Sequence, residues 1–403
     1  MKFLLVPENN ALSHLGKSLA LEASLTAKGH QVVVAVSQGN AIHVQHLGSR
    51  GRILPDLQEV DHSAYPTMAW FRNPQRIQAC IRAERDLILE LQPDRVLGIF
   101  RFTLKASAQL AGVPFDSLTC GCMLPETPEV LGFAEGDPGL EHQRDLFELY
   151  YRLEGARMSQ ALVGLGLAPI ADIRTMLKGD RTFLWDVPTF SPLPNLPGVI
   201  HVGPIPWLGW SYDDLDLAPI LANPRPLAIL TFGTCVGTEE VTLRMVRILG
   251  ALGYQILLAA GGQRDLIAHV TQQPNVVACG FAPLHKLLPH AALVACHGGQ
   301  LTVFEALAHG LPVLVMPFQA EQAHNGVCLE RIGCGKRLIP TQPYLGNARV
   351  YVDAFNAMED QELTAKICSL TNDPQTPHNL AAAQSSLAQY HGLDTLAARL
   401  VEA

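Results

Sequence analysis

Residues 279–326 read CGFAPLHKLLPHAALVACHGGQLTVFEALAHGLPVLVMPFQAEQAHNG. Within this stretch an apolar run, 291–296, enters His297-Gly298-Gly299 directly, and a helical pattern then opens around Thr302 and carries Glu305. A fold builds an anion site in this way: glycines let the backbone approach the ligand, while free N–H groups and the helix dipole supply positive potential. A second apolar run, 312–316, ends at Pro317, with Glu321, Gln322 and Asn325 just beyond. Two strand ends therefore deliver polar groups to one edge, where parallel α/β sheets bind their ligands.

Working outward, the same strand-then-helix alternation fills both halves of the chain. Strands are expected at 3–6, 32–36, 95–100 and 115–119, and again at 227–232, 255–259, 276–279, 293–296 and 312–316. Such alternation implies parallel, doubly wound sheets. Between the halves, residues 191–226 hold eight prolines, the composition of a linker. The expected organisation is an N-terminal Rossmann-like domain at 1–203, a linker at 204–226, a C-terminal Rossmann-like domain at 227–380 and a closing helix at 381–403.

The block through residue 335 resembles the donor-sugar signature of family 1 glycosyltransferases, the UDP-glycosyltransferase-like enzymes, in its bacterial natural-product branch. The resemblance implies the α/β fold called GT-B, two Rossmann-like domains facing each other across a cleft. It implies that His297, Gly298, Gly299 and Thr302 hold a nucleotide diphosphate, that Glu305 accepts from ribose hydroxyls, and that Glu321 and Gln322 hold the hexose. The chemistry suits them, since a carboxylate accepts from neighbouring hydroxyls while an amide both donates and accepts. Phe281 stands where the family often has a base-stacking Trp, Leu284 where a Gln is common, and Glu321 where an Asp is usual. Thr234, in a glycine-bracketed turn after the 227–232 strand, is a second hydroxyl aimed at the diphosphate.

The N-terminus resembles the family as well. A strand at 3–6, a polar loop and a helix lead to Gly29-His30, and His14 stands sixteen residues ahead of His30, the family's separation for its catalytic histidine. An imidazole of near-neutral pKa suits removal of an acceptor proton. Ser13 and Lys17 replace the family's usual Gly and Pro, and Lys17 is expected to be solvated. Many members orient the histidine with an aspartate that would fall at 98–101 here. No carboxylate stands there; Asp116 is the acid considered in its place. With Trp70 it makes up the acceptor-side candidates.

A net charge of −8 disfavours a nucleic-acid partner. The arginines of 50–105 interleave with acids and read as a solvated, ion-paired helical face, although the resemblance also allows peripheral contact with a membrane. The apolar fraction is 48%, yet no run approaches the roughly twenty residues of a membrane helix. The first seven residues are too short for a signal peptide. Nine cysteines without a CxxC pair fit reduced thiols, so a cytoplasmic enzyme is expected. Asp214-Leu215-Asp216 has the spacing of a metal-binding pair in other glycosyltransferases, but it lies among prolines, and no metal or cofactor is expected. The reading is an inverting transfer of a hexose from a nucleotide diphosphate sugar to a hydroxyl of a small-molecule or lipid-like acceptor. UDP-glucose is the first donor considered and a dTDP-deoxysugar the second. The alternatives are a non-catalytic protein of this fold, or a nucleotide-sugar epimerase or hydrolase of the same architecture.

Overall fold

The computed structural model describes residues 1–9, 11–57, 71–206, 215–235, 237–261, 263–273, 275–343 and 348–402. Trp70 and Asp214 lie outside them. The first sheet comprises β1 (Lys2–Pro7), β2 (Gln31–Ser37), β3 (Gly51–Leu54), β4 (Arg95–Ile99), β5 (Phe115–Thr119), β6 (Arg181–Leu184) and β7 (Val199–His201), in the order β3-β2-β1-β4-β5-β6-β7. The second comprises β8 (Leu227–Thr231), β9 (Gln255–Ala259), β10 (Val276–Cys279), β11 (Ala291–Cys296), β12 (Val313–Val315) and β13 (Gly335–Arg337), in the order β10-β9-β8-β11-β12-β13. Neighbouring strands are parallel throughout. The α/β class expected from the alternation is the class found.

The central strands are apolar on both faces because helices cover both sides of a parallel sheet. Residues 3–6 of β1 and 228–230 of β8 are at most 1% exposed. In each sheet the strand order reverses at one place, between β1 and β4 and between β8 and β11. A crevice opens there beyond the carboxyl ends of the strands. His14 follows β1, Phe100 follows β4, Thr234 follows β8 and His297 follows β11. The topology thus sends the four segments of interest to the two switch points.

The last part of the chain departs from the expected single helix at 381–403. Helix Thr376–Leu387 packs on helix Gln300–Ala308 of the second domain, and a separate helix, Gly392–Val401, packs on helix Leu12–Ala27 of the first. Leu396, Ala397 and Leu400 are fully buried there.

A second connection joins the domains beside the cleft. Glu129 pairs with Arg331 and lies 3.3 Å from Nε2 of His324. Arg331 also donates to the Thr189 carbonyl oxygen at 2.8 Å, and Arg337 to that of Gly132 at 3.1 Å. Both arginines come from the second domain and clamp loops of the first.

Candidate active site

The turn from β11 into helix Gln300–Ala308 has the geometry of an anion cradle. Gly298 takes φ 88°, and a Cβ there would lie 2.6 Å from the carbonyl oxygen of Gln322. Only glycine fits without displacing backbone. Gly261, at φ 59°, lets the turn after β9 come so close that a Cβ would lie 1.9 Å from the Gly233 carbonyl oxygen. These contacts press three strand-end turns together around His297. Its imidazole is half-buried; desolvation lowers its pKa to about 4, with the main chain of Thr231 working the other way. A neutral ring therefore faces the cavity at physiological pH.

That cavity holds about 220 Å3 and is lined from both domains. Ala11, Leu12 and Ser13 come from the start of the His14 helix; Thr234, Phe281, His297, Gly299, Thr302 and Glu305 come from the second domain. Phe281 keeps 40% of its surface exposed, unusual for a phenylalanine and suited to stacking under a flat base. Gly298→Ala is expected to cost about 1–3 kcal/mol of stability through the left-handed backbone alone. It is also expected to weaken nucleotide binding more than tenfold. Thermal unfolding and calorimetric titration measure the two effects.

Glu321 and Gln322 open helix Ala320–Arg331 beyond β12. Glu321 receives a hydrogen bond from Asn325 Nδ2 at 2.7 Å, and the same amide donates to the Gly298 carbonyl oxygen at 2.8 Å. Asn325 thereby ties Glu321 to the Gly298 turn. Burial raises the Glu321 pKa. Gln322 accepts from the Phe318 N–H at 2.8 Å, which commits its oxygen to the loop, and its amide also meets the Cys235 thiol.

His14 lies within the first turn of helix Leu12–Ala27. It is 7% exposed, stacked on Phe100 with centroids 5.1 Å apart, and 5.4 Å from the ring of Trp185. Burial, then the charge of Lys17, lowers its pKa to about 3, with the main chain of Glu8 working weakly the other way. Nδ1 has no hydrogen-bond partner among the described residues. Where the resemblance calls for an orienting aspartate, the chain places Phe100, held at φ 54° and stacked on the imidazole. A phenylalanine in the left-handed region costs about 1–3 kcal/mol, and such strain gathers at functional sites.

Several expectations need correction. Asp116 is fully buried near the start of β5, away from the switch point, and both its oxygens are engaged. Arg95 donates to it at 2.8 and 3.0 Å, and Arg181 at 2.7 and 3.1 Å. It is a structural acid with no access to His14 or to an acceptor. Lys17 is not solvated but 5% exposed. The acids around residue 100 come from elsewhere in the chain: Arg101 donates to Glu84 at 2.8 Å and to both oxygens of Glu8 at 3.3 Å. Glu84, assigned from the sequence to a solvated face, is fully buried by that network.

Two residues that the sequence did not single out complete the cleft. Trp185, just after β6, donates from Nε1 to Oε1 of Gln300 at 2.6 Å, joining the aromatic wall beside His14 to the first residue of helix Gln300–Ala308. The only hint in the sequence is an aromatic residue at the end of a short apolar run.

Residues 244–385 match the family described as erythromycin biosynthesis protein CIII-like, C-terminal domain. The chain is similar to a PGL/p-HBAD biosynthesis glycosyltransferase of Mycobacterium tuberculosis, 29% identical over 287 residues, or 66% of this chain and 63% of the relative. The match thus spans less than two thirds of that protein. In fold the chain resembles the glycosyltransferase of kitacinnamycin, with a TM-score of 0.74 at 18% identity, covering 99% and 98% of the two chains. It also resembles the glycosyltransferase VinC solved in complex with DTDP, with a TM-score of 0.69 at 18% identity, covering 100% and 98%. Among the described residues, no helix is long and apolar enough to cross a membrane.

Proposed function

We propose that this chain, whose residues 244–385 belong to the erythromycin biosynthesis protein CIII-like C-terminal domain family and whose overall fold is that of the bacterial GT-B glycosyltransferases, moves a sugar from a nucleotide diphosphate to an acceptor hydroxyl. One observation carries the reading. The cavity that holds Phe281, His297, Thr302 and Glu305 is roofed by residues 11–13, so a donor bound there would lie beside the segment that carries His14.

The mechanism is a single displacement with inversion. His14 takes the acceptor proton, the oxygen attacks the anomeric carbon, and the diphosphate leaves toward Thr234, His297 and the free N–H groups at residues 299–302. A helix N-terminus and oriented donors stabilise that developing charge, so the reading requires no ion. Glu321 and the Gln322 amide hold the hexose. For the donor, the sequence alone favours UDP-glucose. The likeness to a protein solved with DTDP moves the preference to a dTDP-linked deoxysugar, whose ribose equivalent offers Glu305 a single hydroxyl.

Calorimetric titration with dTDP, UDP and GDP, each with and without magnesium, tests the donor site. The expected result is metal-independent binding with dTDP tightest; failure of all three would overturn the reading. The pH–rate profile gives a second test. A histidine with an ordinary pKa would lose activity below about pH 6.5. Because the pKa of His14 is lowered to about 3, the neutral form persists in acid, and kcat/KM is expected to stay flat from neutrality down to about pH 5.

A further inference from the structure

The contact between the domains at Glu129 has the make-up of a metal site. His324 and Cys328 stand four residues apart on one face of helix Ala320–Arg331. Glu129 meets them from a loop of the first domain: its Oε2 lies 3.3 Å from His324 Nε2, and that nitrogen lies 3.6 Å from Cys328 Sγ. The three ligand atoms all fall within 4.8 Å of one another. Carboxylate, imidazole and thiolate are zinc ligands, and tetrahedral bonds of ordinary zinc length hold such atoms about 3.3–3.6 Å apart. His324 and Cys328 are at most 1% exposed, so the packed core sets their separation.

The surroundings fit an ion as well. Arg331, on the same helix, pairs with the other carboxylate oxygen, Oε1, and donates toward Sγ at 3.5 Å. One guanidinium thereby orients both anionic ligands from outside, as the groups around metal ligands do. Glu129 also lines a separate cavity of about 80 Å3, shared with Thr127, Arg144 and Tyr151, which gives an ion a path in and leaves room for water as a fourth ligand. The cluster draws positive charge: burial opposes an imidazolium at His324, but Cys328 and Glu129 offset it and hold its pKa at about 10. A divalent ion answers the same demand through three bonds, displacing protons to solvent.

We propose that Glu129, His324 and Cys328 form a site for a zinc-class divalent cation that bridges the two domains. The bridge sets how far helix Ala320–Arg331, and with it Glu321 and Gln322 at its start, can move from the first domain. None of the three residues lines the donor cavity. The ion is therefore a staple between domains, and no part of the transfer step passes through it.

Titration of chelator-treated full-length protein with Co²⁺ is the test, because a thiolate on cobalt gives a near-ultraviolet absorption that carboxylate and imidazole ligands alone do not. One equivalent is expected to saturate the band, and Zn²⁺ to displace it. Cys328→Ser is expected to abolish the band. His324→Gln and Glu129→Gln are expected to weaken binding by about 100-fold or more, beyond the loss seen when only a group orienting a ligand is removed. One equivalent of Zn²⁺ is expected to raise the unfolding midpoint of wild type and not that of Glu129→Gln, which reads the bridge itself. No band in wild type, a band that survives in Cys328→Ser, or unchanged affinity in Glu129→Gln overturns the proposal. If Cys328→Ser does not fold, Cys328→Ala replaces it. Titration with dTDP is expected to give the same affinity before and after chelation, and failure of dTDP to bind would count against the glycosyltransferase reading alone.

Discussion

His14→Ala is expected to lower kcat by 10²- to 10⁴-fold, the range for a positioned general base, while leaving dTDP affinity within about twofold. The separation follows from where the residue sits. The donor cavity is roofed by Ala11, Leu12 and Ser13, whereas the His14 ring turns toward Phe100 and Trp185. Removing the ring opens space on the acceptor side and takes nothing from the phosphate turn. Single-turnover kinetics with saturating donor measure the chemical step directly, and unchanged turnover would remove His14 from the mechanism. Stability is expected to fall modestly, because a buried polar ring with an unpartnered nitrogen contributes less than its size suggests.

Asp116→Ala is expected to have the opposite signature, a large loss of stability with nucleotide affinity preserved at temperatures well below unfolding. Its carboxylate is fully buried between two guanidiniums, and removing it leaves two partly buried cations facing each other. Breaking such a cluster by deleting one partner costs about 3–5 kcal/mol. Arg181 also donates to the carbonyl oxygens of Arg399 and Leu400, at 2.6 and 3.4 Å, so Asp116 positions the cation that closes the terminal helix. Urea unfolding is expected to show a lower midpoint, and limited proteolysis to show early cleavage near residue 390. A variant as stable as the parent but inactive in transfer would place Asp116 in the chemistry instead.

The contrast between these residues explains what the sequence made legible. The strand-to-helix turn at His297 was readable because its parts are local: a buried strand, His297, two glycines and a helix lie within residues 291–308, each bearing the mark of its backbone. The central strands were readable as apolar runs. β3, β6, β7 and β13 were missed because each is only three or four residues long, and three of them carry an arginine or a lysine. Their pairing is imposed by the neighbouring strand rather than by their own pattern. The predicted strand at 95–100 overran by one residue because Phe100 turns left-handed. The setting of Lys17 and the roles of Trp185, Gln300 and Phe100 exist only once the two domains are folded against each other, and sequence separation carries no trace of that. Asp116 failed for a related reason: the expected strand at 115–119 put it at the start of β5, but only the folded sheet brings Arg95 and Arg181 onto its carboxylate.

The return of helix Gly392–Val401 to the first domain means that the chain cannot be divided at its linker. A fragment ending at residue 203 would carry helix Leu12–Ala27 with an apolar groove uncovered, and a fragment beginning there would carry Leu396, Ala397 and Leu400 exposed to water. Recombining halves between relatives therefore requires the last dozen residues to travel with the N-terminal half, even though they are encoded at the opposite end. The unit of exchange in this architecture is discontinuous, set by which surface a helix covers rather than by its place in the chain.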